Sequence, residues 1–332
     1  MLTDPSLPPS VRMLHGRQFH GTNSNYVLPN DKEEHKRLSY QHEAIKIMAG
    51  GNYMAPLSKI NAGAGPQDVL DICSGSGQWV LEIAKEFPKA KIVGIDLSRP
   101  VLDEPTLPAN VSFVIADIKQ GLPFETGSFD AVHMRMVPSI RERTAIYKEM
   151  HRVLRPGMID PTACKSVAEI QTGGFIMLVE PGERVSRLGI EIPPEQIAIT
   201  NAVVATRHFE EIKSPAPDKA TTGSSENAWG MATKITAHLR DSPEMWTNVQ
   251  EKKLGIPIGV WADDEAGQKA GELLQYCVPG LFKSMRPTLI NEGILPAEEV
   301  DDLLARLDIR YGPEAKQWQV EWPFCFVWAE KY

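Results

Sequence analysis

The chain has few cysteines, and none lies in a metal-binding pattern. The four are Cys73, Cys164, Cys277 and Cys325, with no CxxC pair and no cysteine–histidine pairing at ligand spacing. This scatter excludes a structural zinc site of the usual kind, and no cluster of acids and histidines suggests another metal. We therefore expect free thiols, no bound metal and metal-independent chemistry.

Long apolar runs and long basic runs are also absent. No stretch approaches the roughly 18 apolar residues of a membrane span, and the opening MLTDPSLPPS has an acid and three prolines where a secretory leader would be apolar. The formal net charge is −8 and the isoelectric point is about 5.6. Since nucleic acids and anionic membranes are bound through basic surfaces, we expect neither as a partner. The sequence is typical of a soluble cytoplasmic protein, and it leaves the oligomeric state open.

Between residues 67 and 181, short apolar runs alternate with helical patterns. The strands are nearly all apolar, as expected where helices cover both faces of a parallel sheet. The pattern predicts an α/β fold with a doubly wound, Rossmann-like sheet. Strands are predicted at 68–72, 90–96, 112–117, 129–135 and 173–181, with helices at 78–87 and 141–154.

The N-terminal region carries a weaker pattern. Residues 1–25 lack periodicity and predict a flexible arm. An amphipathic helix is predicted over 31–48, with Asn30 or Asp31 as its N-cap. This helix precedes the sheet and forms a helical N-terminal segment of the domain.

After the core, residues 182–310 predict an inserted helical cap. The aromatic and β-branched stretch at 319–331 predicts a strand that returns to the sheet, and its Pro323 indicates an edge position or a bulge. A returning strand favours one domain over residues 26–332, with the terminal strand region at 311–332, rather than two independent domains.

The segment after the first strand carries the chemistry. It reads DICSGSG from Asp71 to Gly77, a strand end followed by a turn of small residues. Gly75 and Gly77 have no Cβ, so a ligand can approach the backbone N–H groups closely. A dinucleotide fingerprint needs a third glycine where Val80 stands, and a phosphate loop needs Lys followed by Ser or Thr. What remains is an acid before a glycine turn, which suits a cationic ligand without phosphate.

Two further acids close the next two strands. Asp96 follows the turn by about twenty residues, where an acid accepts hydrogen bonds from ribose hydroxyls. Asp117 can accept a hydrogen bond from an adenine amino group. Each acid alone is more often an ordinary strand-end residue that begins a turn. Three such acids beside one glycine turn predict a nucleoside-binding site.

These features together resemble a known family. The motifs VLDICSGSGQWVLEIAKEFP, FDAVHMR, HRVLRPG and GGFIMLVEP resemble the class I S-adenosylmethionine-dependent methyltransferases. More narrowly, YVLPNDKEEHKRLSYQH, LGIPIGVWADD and WPFCFVWAEK are similar to the fungal LaeA/UMTA-like group, which includes regulators of secondary metabolism and many small-molecule methyltransferases. The resemblance covers roughly residues 26–331.

The resemblance implies that the cofactor is S-adenosylmethionine. Cys73 stands where the family has the first glycine of its loop, and we expect the thiol to point away from the cofactor into the packing between sheet and helix. Arg135 is expected to pair with a carboxylate, either the cofactor's or a neighbouring acid. The implied cofactor-binding residues are Asp71, Cys73, Gly75, Gly77, Asp96, Leu97, Asp117, Ile118 and Arg135.

The methyl acceptor is expected above the carboxyl ends of the fourth and fifth strands. His133 and Arg135 share one face of the fourth strand, and Glu180 ends the fifth. His133 is the candidate catalytic base for a hydroxyl acceptor, because imidazole titrates near neutral pH. A histidine that only fixes the cofactor or the strand end fits the same pattern.

The sequence predicts an enzyme that methylates a small secondary-metabolite acceptor, with oxygen as the leading choice of methylated atom. One alternative is a non-catalytic regulatory protein that keeps the fold, motivated by Cys73 and by the regulators in the family. Another is a cofactor-bound enzyme that performs chemistry other than methyl transfer.

Overall fold

The computed structural model of the chain describes residues 11–21, 26–102, 107–137, 140, 143–159, 170–171, 173–206 and 231–332. Within these ranges, no helix combines the length and the apolar character needed to cross a bilayer.

A β-hairpin occupies part of the expected flexible arm. Strands β1 (Val11–Leu14) and β2 (Arg17–His20) pair antiparallel around His15 and Gly16, which both have positive φ. Two such residues form the kind of turn that matches the twist of hairpin strands. The arm prediction is therefore wrong for residues 11–20, because a short hairpin turn leaves no periodic signal. Residues 1–10 and 22–25 of the predicted arm lie outside the described residues.

Helix α1 (Lys32–Ala49) agrees with the predicted helix over 31–48. The N-cap is Asp31 rather than Asn30, because the Asp31 carboxylate accepts a hydrogen bond from the N–H of Glu34 at 3.0 Å. Gly50 ends the helix in the left-handed conformation.

The central elements follow the predicted alternation of strands and helices, so the doubly wound fold is confirmed. The segment 158–172, which lengthens the turn before the fifth strand, is described only at its two ends, and these pair as a short ribbon. The elements are β3 (Asp68–Ile72), α2 (Gln78–Glu86), β4 (Lys91–Asp96), β5 (Val111–Ile115), β6 (Ala131–Arg135), α3 (Thr144–Val153), β7 (Met158–Ile159), β8 (Ile170–Gln171) and β9 (Phe175–Pro181).

The C-terminal half adds helices and two long strands. They are β10 (Val185–Ser186), α4 (Pro194–Val204), α5 (Met231–Arg240), β11 (Trp246–Pro257), α6 (Glu265–Asn291), α7 (Ala297–Tyr311), α8 (Ala315–Trp318) and β12 (Val320–Lys331). Because β11 pairs with β12 in the main sheet, the prediction of an inserted helical cap over 182–310 is wrong at 246–257, which belong to the sheet. Residues 207–230 of that region lie outside the described residues.

The main sheet is parallel in its centre and antiparallel at one side. Its order is β5, β4, β3, β6, β9 and β12, with β11 and the short β10 also paired to β12. The five strands β5, β4, β3, β6 and β9 are parallel, and β12 runs antiparallel to β9. After β3, the chain continues to β4 and β5 on one side of β3 in the sheet. After β6, which lies on the other side of β3, it continues outward to β9. A crevice therefore opens at the carboxyl ends of β3 and β6, the usual ligand position in such sheets.

Strand β12 is internal to the sheet, so the prediction that Pro323 marks an edge or a bulge is wrong. Pro323 faces Gly255 of β11 in the register. On its other side, the carbonyl of Pro323 accepts from the N–H of Gly182 at 2.8 Å, just beyond the end of β9. Proline has no backbone N–H to donate. No hydrogen bond to β9 is lost at Pro323, because β9 has already ended at this point.

Alternation along the strands separates the two faces of the sheet. Leu70, Val132 and Ile176 belong to a core shared with α3 and α5, whereas Val69 and Ala131 pack with α2 on the opposite face. By the same alternation, the polar side chains on the odd-numbered positions near the ends of β3 and β6 lie on the α2 face.

Candidate cofactor and acceptor site

The loop after β3 turns through three left-handed residues. Cys73, Gly75 and Gly77 have φ of 58°, 53° and 73°. Glycine adopts this conformation freely, but for Cys73 it costs roughly 1 kcal/mol or more. The Cys73 side chain packs against the core on the α3 face of the sheet, in agreement with the expected direction of its thiol. Burial raises the pKa of that thiol well above its usual value, so it is held neutral.

The two loop glycines have different neighbours. A Cβ on Gly75 would lie 3.3 Å from Cδ1 of Leu38 in α1, so the N-terminal helix passes close above this part of the loop. A Cβ on Gly77 would lie 2.8 Å from Cζ of Phe113 in β5, a distance that side chains do not tolerate. Gly75 therefore lets α1 close over the loop, and Gly77 lets α2 start against the sheet.

The structure brings Asp96 to this loop from the end of β4. Its Oδ2 accepts from the N–H of Gly75 at 2.9 Å. Burial raises the pKa of Asp96, and the backbone N–H groups of Gly75, Leu97 and Ser98 oppose that rise. The predicted ribose ligand is thus a half-buried carboxylate that the N–H of Gly75 orients.

Asp117 begins a turn, as expected for an ordinary acid at the end of a strand. Its Oδ1 accepts from the N–H of Lys119 at 3.0 Å and caps a short 3-10 turn that starts at Ile118. The Ile118 side chain is buried in the core, whereas Leu97 is half-buried after Asp96. The adenine-binding role of Asp117 and Ile118 stays a prediction.

Asp71 and His133 form a buried pair. The two residues are register partners on β3 and β6, and Nδ1 of His133 lies 2.8 Å from Oδ1 of Asp71. The imidazole stacks on the indole of Trp79 with centroids 4.0 Å apart. Burial lowers the pKa of His133, although the bond to Asp71 opposes that shift. This geometry is that of a histidine fixing a strand end, and the catalytic role of His133 stays a prediction.

Arg135 bonds to a histidine and not to a neighbouring acid among the described residues, so that part of the expectation is wrong, whereas pairing with the cofactor's carboxylate stays a prediction. Its Nη2 donates to Nδ1 of His42 in α1 at 2.9 Å, and Nε2 of His42 lies 3.2 Å from Oε2 of Glu82 in α2. Burial lowers the pKa of both Arg135 and His42. Since an arginine can only donate, Nδ1 of His42 accepts and the ring is neutral. His42 thus links the sheet to both helices on this face.

His42, Glu43 and Glu82 could offer three metal-ligand atoms within 4.8 Å of one another. The ammonium of Lys46, however, lies 3.1 Å from a carboxylate oxygen of each glutamate. Burial would raise the pKa of Glu82, but its bonds to His42 and Lys46 outweigh burial and lower that pKa to about 2. The cluster is therefore a lysine-neutralised acidic group.

At the carboxyl ends of β6 and β9, a buried ion pair holds the segment that follows β6. Nη1 of Arg143 lies 2.7 Å from Oε1 of Glu180, which also accepts from the N–H of Val137 at 3.3 Å. Arg143 donates in addition to the carbonyls of Val137 and Ile140. The second carboxylate oxygen of Glu180 is buried and has no donor among the described residues. Met136, at the start of this segment, has a φ of 57°.

The arrangement at the ends of β3 and β4 fits S-adenosylmethionine. A Cβ would narrow the cradle at Gly75, and the neighbouring Asp96 presents a carboxylate of the kind that binds a ribose diol. The DICSGSG turn has no lysine or arginine to hold a phosphate. The residues that would hold the cofactor are therefore the loop from Cys73 to Gly77 and Asp96.

Several residues near the site carry no local signal in the sequence. Asn30 enters the sequence prediction only as a possible N-cap, yet its side chain bonds to Ser98 at 2.8 Å. Arg143 and Phe113 are equally ordinary in their local context. Only an alignment of related chains, in which Asn30 and Ser98 changed together, could have identified such long-range pairs.

Comparison with known proteins agrees with these observations. Residues 69–157 match a family model described as a methyltransferase domain. The N-methyltransferase verN of Clonostachys rogersoniana is 34% identical over 262 residues, which cover 75% of this chain and 87% of verN. The secondary metabolism regulator laeA of Coprinopsis cinerea is 35% identical over 135 residues, 40% of this chain and 33% of that protein. A structure of phosphoethanolamine N-methyltransferase 2 of Haemonchus contortus with S-adenosyl-L-methionine aligns at 15% identity and a TM-score of 0.42, over 89% of this chain and 57% of that one.

Proposed function

This chain belongs to the S-adenosylmethionine-dependent methyltransferases of fungal secondary metabolism, and on that basis we propose that it methylates a hydroxyl oxygen of a small-molecule acceptor. The observation that carries the proposal is the second oxygen of Glu180. It is buried at the end of β9 and has no donor among the described residues, and the charge of Glu180 contributes to the raised pKa of Cys73 in the cofactor loop. A hydrogen-bond donor on the acceptor would satisfy it.

The charge of the chain supports a small acceptor. A net charge of −8 disfavours a nucleic acid as the acceptor, because nucleic acids are bound through basic surfaces. The ion pair with Arg143 fixes Glu180, so its second oxygen has a defined position from which to orient a hydroxyl group. Holding two reacting groups in line is the main contribution of an enzyme to a displacement of this kind.

The chain's own residues divide the work of the reaction. Bound S-adenosylmethionine supplies a methyl group on a positively charged sulfur. Asp96 binds the ribose hydroxyls, and the loop at Gly75 receives the methionyl part. Glu180 accepts a hydrogen bond from the acceptor hydroxyl through Oε2, orients its oxygen and takes its proton as the oxygen receives the methyl group. His133, predicted as the general base, is proposed instead to position Asp71, because Nδ1 is bonded to that carboxylate and Trp79 covers the ring.

The test is turnover with a defined panel. Purified protein is incubated with S-adenosylmethionine and matched phenols, alcohols and amines, and release of S-adenosylhomocysteine is measured, with the methylated atom assigned by NMR. We expect methylated phenols or alcohols. If only amines were methylated, the methylated atom would be nitrogen instead of oxygen, as the name of the N-methyltransferase verN states for that protein. Cofactor binding without product, on the panel and on fungal metabolite extracts, would overturn the proposal.

The role of Glu180 has a separate readout. Glu180→Gln should lower kcat/KM for the acceptor at least tenfold while the dissociation constant for S-adenosylmethionine stays within about twofold of the parent. Glu125→Gln, an exposed substitution on the loop before β6, is the control and should change neither. Loss of cofactor affinity in Glu180→Gln would show that the residue supports the fold rather than the acceptor.

A further inference from the structure

A ring of hydrogen bonds joins the start of α1 to the loop that follows Asp96. Nδ2 of Asn30 donates to Oγ of Ser98 at 2.8 Å, and Oδ1 of Asn30 lies 2.9 Å from Nε2 of His35. Nδ1 of His35 accepts from the N–H of Val101 at 3.1 Å. The two ends of the loop are therefore bound to residues five positions apart in the chain.

The direction of each hydrogen bond in this ring is fixed. A backbone N–H can only donate, so Nδ1 of His35 must accept from Val101 and carry no proton. The proton of the neutral imidazole is then on Nε2, which donates to the amide oxygen of Asn30. That leaves the amide nitrogen of Asn30 to donate to Ser98. His35 and Ser98 are each about 8% exposed, so water competes poorly for these groups.

The N-terminal hairpin supports the ring from its outer side. The N–H of Asn30 donates to the carbonyl of Gln18 at 2.6 Å, and the Gln18 side chain returns a bond to the carbonyl of Asn30 at 3.0 Å. Arg17 binds both carboxylate oxygens of Asp31, at 2.6 and 2.9 Å. The backbone of Asn30 is thus bound to Gln18 of β2, while its side chain is bound to Ser98 in the loop after Asp96.

The loop so held carries the proposed ribose ligand. Ser98 lies two residues after Asp96, and its hydroxyl accepts from Asn30 while its backbone N–H favours the charged form of the Asp96 carboxylate. We propose that Asn30 and His35 act as positioning residues that keep the loop from Asp96 to Val101 in its cofactor-binding conformation. The inference rests on the proposed function only in that the bound ligand is S-adenosylmethionine.

The physical basis is preorganisation. A loop that is already ordered loses little conformational freedom when it binds ribose, whereas a released loop must be ordered at the expense of binding energy. Removing the ring should therefore weaken cofactor binding by about five- to fifty-fold and speed cofactor release. Overall stability should change little, because α1 keeps its Asp31 cap and its packing.

The experiment compares variants by titration calorimetry with S-adenosylmethionine and S-adenosylhomocysteine, together with thermal denaturation of the ligand-free protein. Asn30→Ala, Ser98→Ala and His35→Phe should each bind more weakly. His35→Gln should restore most of the affinity, since its amide can accept from Val101 and donate to Asn30. Lys36→Ala, an exposed position on the same helix, should bind as the parent does.

Two further readouts separate positioning from general destabilisation. The double variant Asn30→Ala/Ser98→Ala should bind no more weakly than Asn30→Ala alone, because the bond that Ser98→Ala removes is already lost in Asn30→Ala. The backbone amides of Leu97, Ser98, Arg99 and Val101 should exchange hydrogen faster in Asn30→Ala without ligand. Affinity within twofold of the parent in Asn30→Ala and His35→Phe would overturn the proposal, as would equal losses of affinity and thermal stability with no recovery in His35→Gln. A parent that fails to bind the cofactor would instead refute the proposed function.

Discussion

Nδ1 of His133 donates to Oδ1 of Asp71 across 2.8 Å between neighbouring strands. The direction follows because a carboxylate can only accept. The bond joins the end of β3, where the cofactor loop begins, to the end of β6, where the segment held by Arg143 and Glu180 begins. Since the imidazole is also stacked on Trp79, both strand ends are held to α2 through one side chain.

This pair predicts a pH dependence of stability. Burial lowers the pKa of His133 in the folded chain, so below the unfolded value of about 6.5 the unfolded chain binds a proton that the folded chain does not. Stability attributable to His133 is therefore full above about pH 6.5 and is lost as the pH falls toward the lowered pKa. His133→Asn should flatten the fall in melting temperature below about pH 6.5. Parallel curves for parent and variant would contradict the assignment.

Cys73 tests the geometry of the cofactor loop. Cys73→Gly removes the left-handed strain but also loses side-chain packing and adds freedom to the unfolded chain, so the unfolding free energy should change by no more than about 1 kcal/mol. Cofactor binding should be retained. Cys73→Ala, which keeps the strain and removes the thiol, is the matched control for packing. The larger side chain introduced by Cys73→Leu should disrupt the loop. If calorimetry showed an undiminished affinity of this variant for S-adenosylmethionine, the loop would not contact the cofactor.

Asp96 should contribute directly to cofactor affinity. Asp96→Ala removes a carboxylate that faces Gly75 and, by our proposal, the ribose hydroxyls, so S-adenosylmethionine should bind more weakly by about 1–3 kcal/mol. Asp263→Ala, an exposed acid far along the chain, is the control for a lost negative charge. Equal calorimetric affinities for Asp96→Ala and the parent would remove Asp96 from the cofactor site.

The ion pair between Arg143 and Glu180 should be costly to break from one side only. Arg143→Met leaves the buried carboxylate of Glu180 unpaired and should lower the unfolding free energy by about 3–5 kcal/mol. The double variant Arg143→Met/Glu180→Leu removes both charges and should recover part of that loss. Denaturant unfolding of the parent, of Arg143→Met, of Glu180→Leu and of the double variant measures the three losses. Additive losses would show that the two side chains do not stabilise each other.

Much of the sheet could be predicted because its strands are buried on both faces. The runs ending at Asp71 and Asp96 are apolar and bounded by turns, so their positions follow from composition alone. The order of the parallel strands follows from the connections between them. The cofactor loop was equally visible, since glycine spacing and an acid at a strand end are local features of the sequence.

What could not be predicted depends on contacts between distant parts of the chain. The alternating polar pattern of β11 identifies it as part of the sheet only once β12 is known to lie beside it. The bond from Asn30 to Ser98 spans 68 positions, and neither residue is unusual where it stands. The Arg135 side chain has acids within reach, and its choice of His42 depends on how α1 docks.

Strand β12 has a consequence for the order in which the chain folds. It lies in the sheet between β9 and β11. It pairs with β9 in a register that begins with Phe324 opposite Pro181, yet it is synthesised about 140 residues after β9. Until it arrives, β9 presents an open row of N–H and C=O groups and an apolar surface, the features that promote wrong pairing. Sheet closure requires a long-range contact, which slows folding. The nascent chain should therefore depend on chaperones until its last strand has been synthesised.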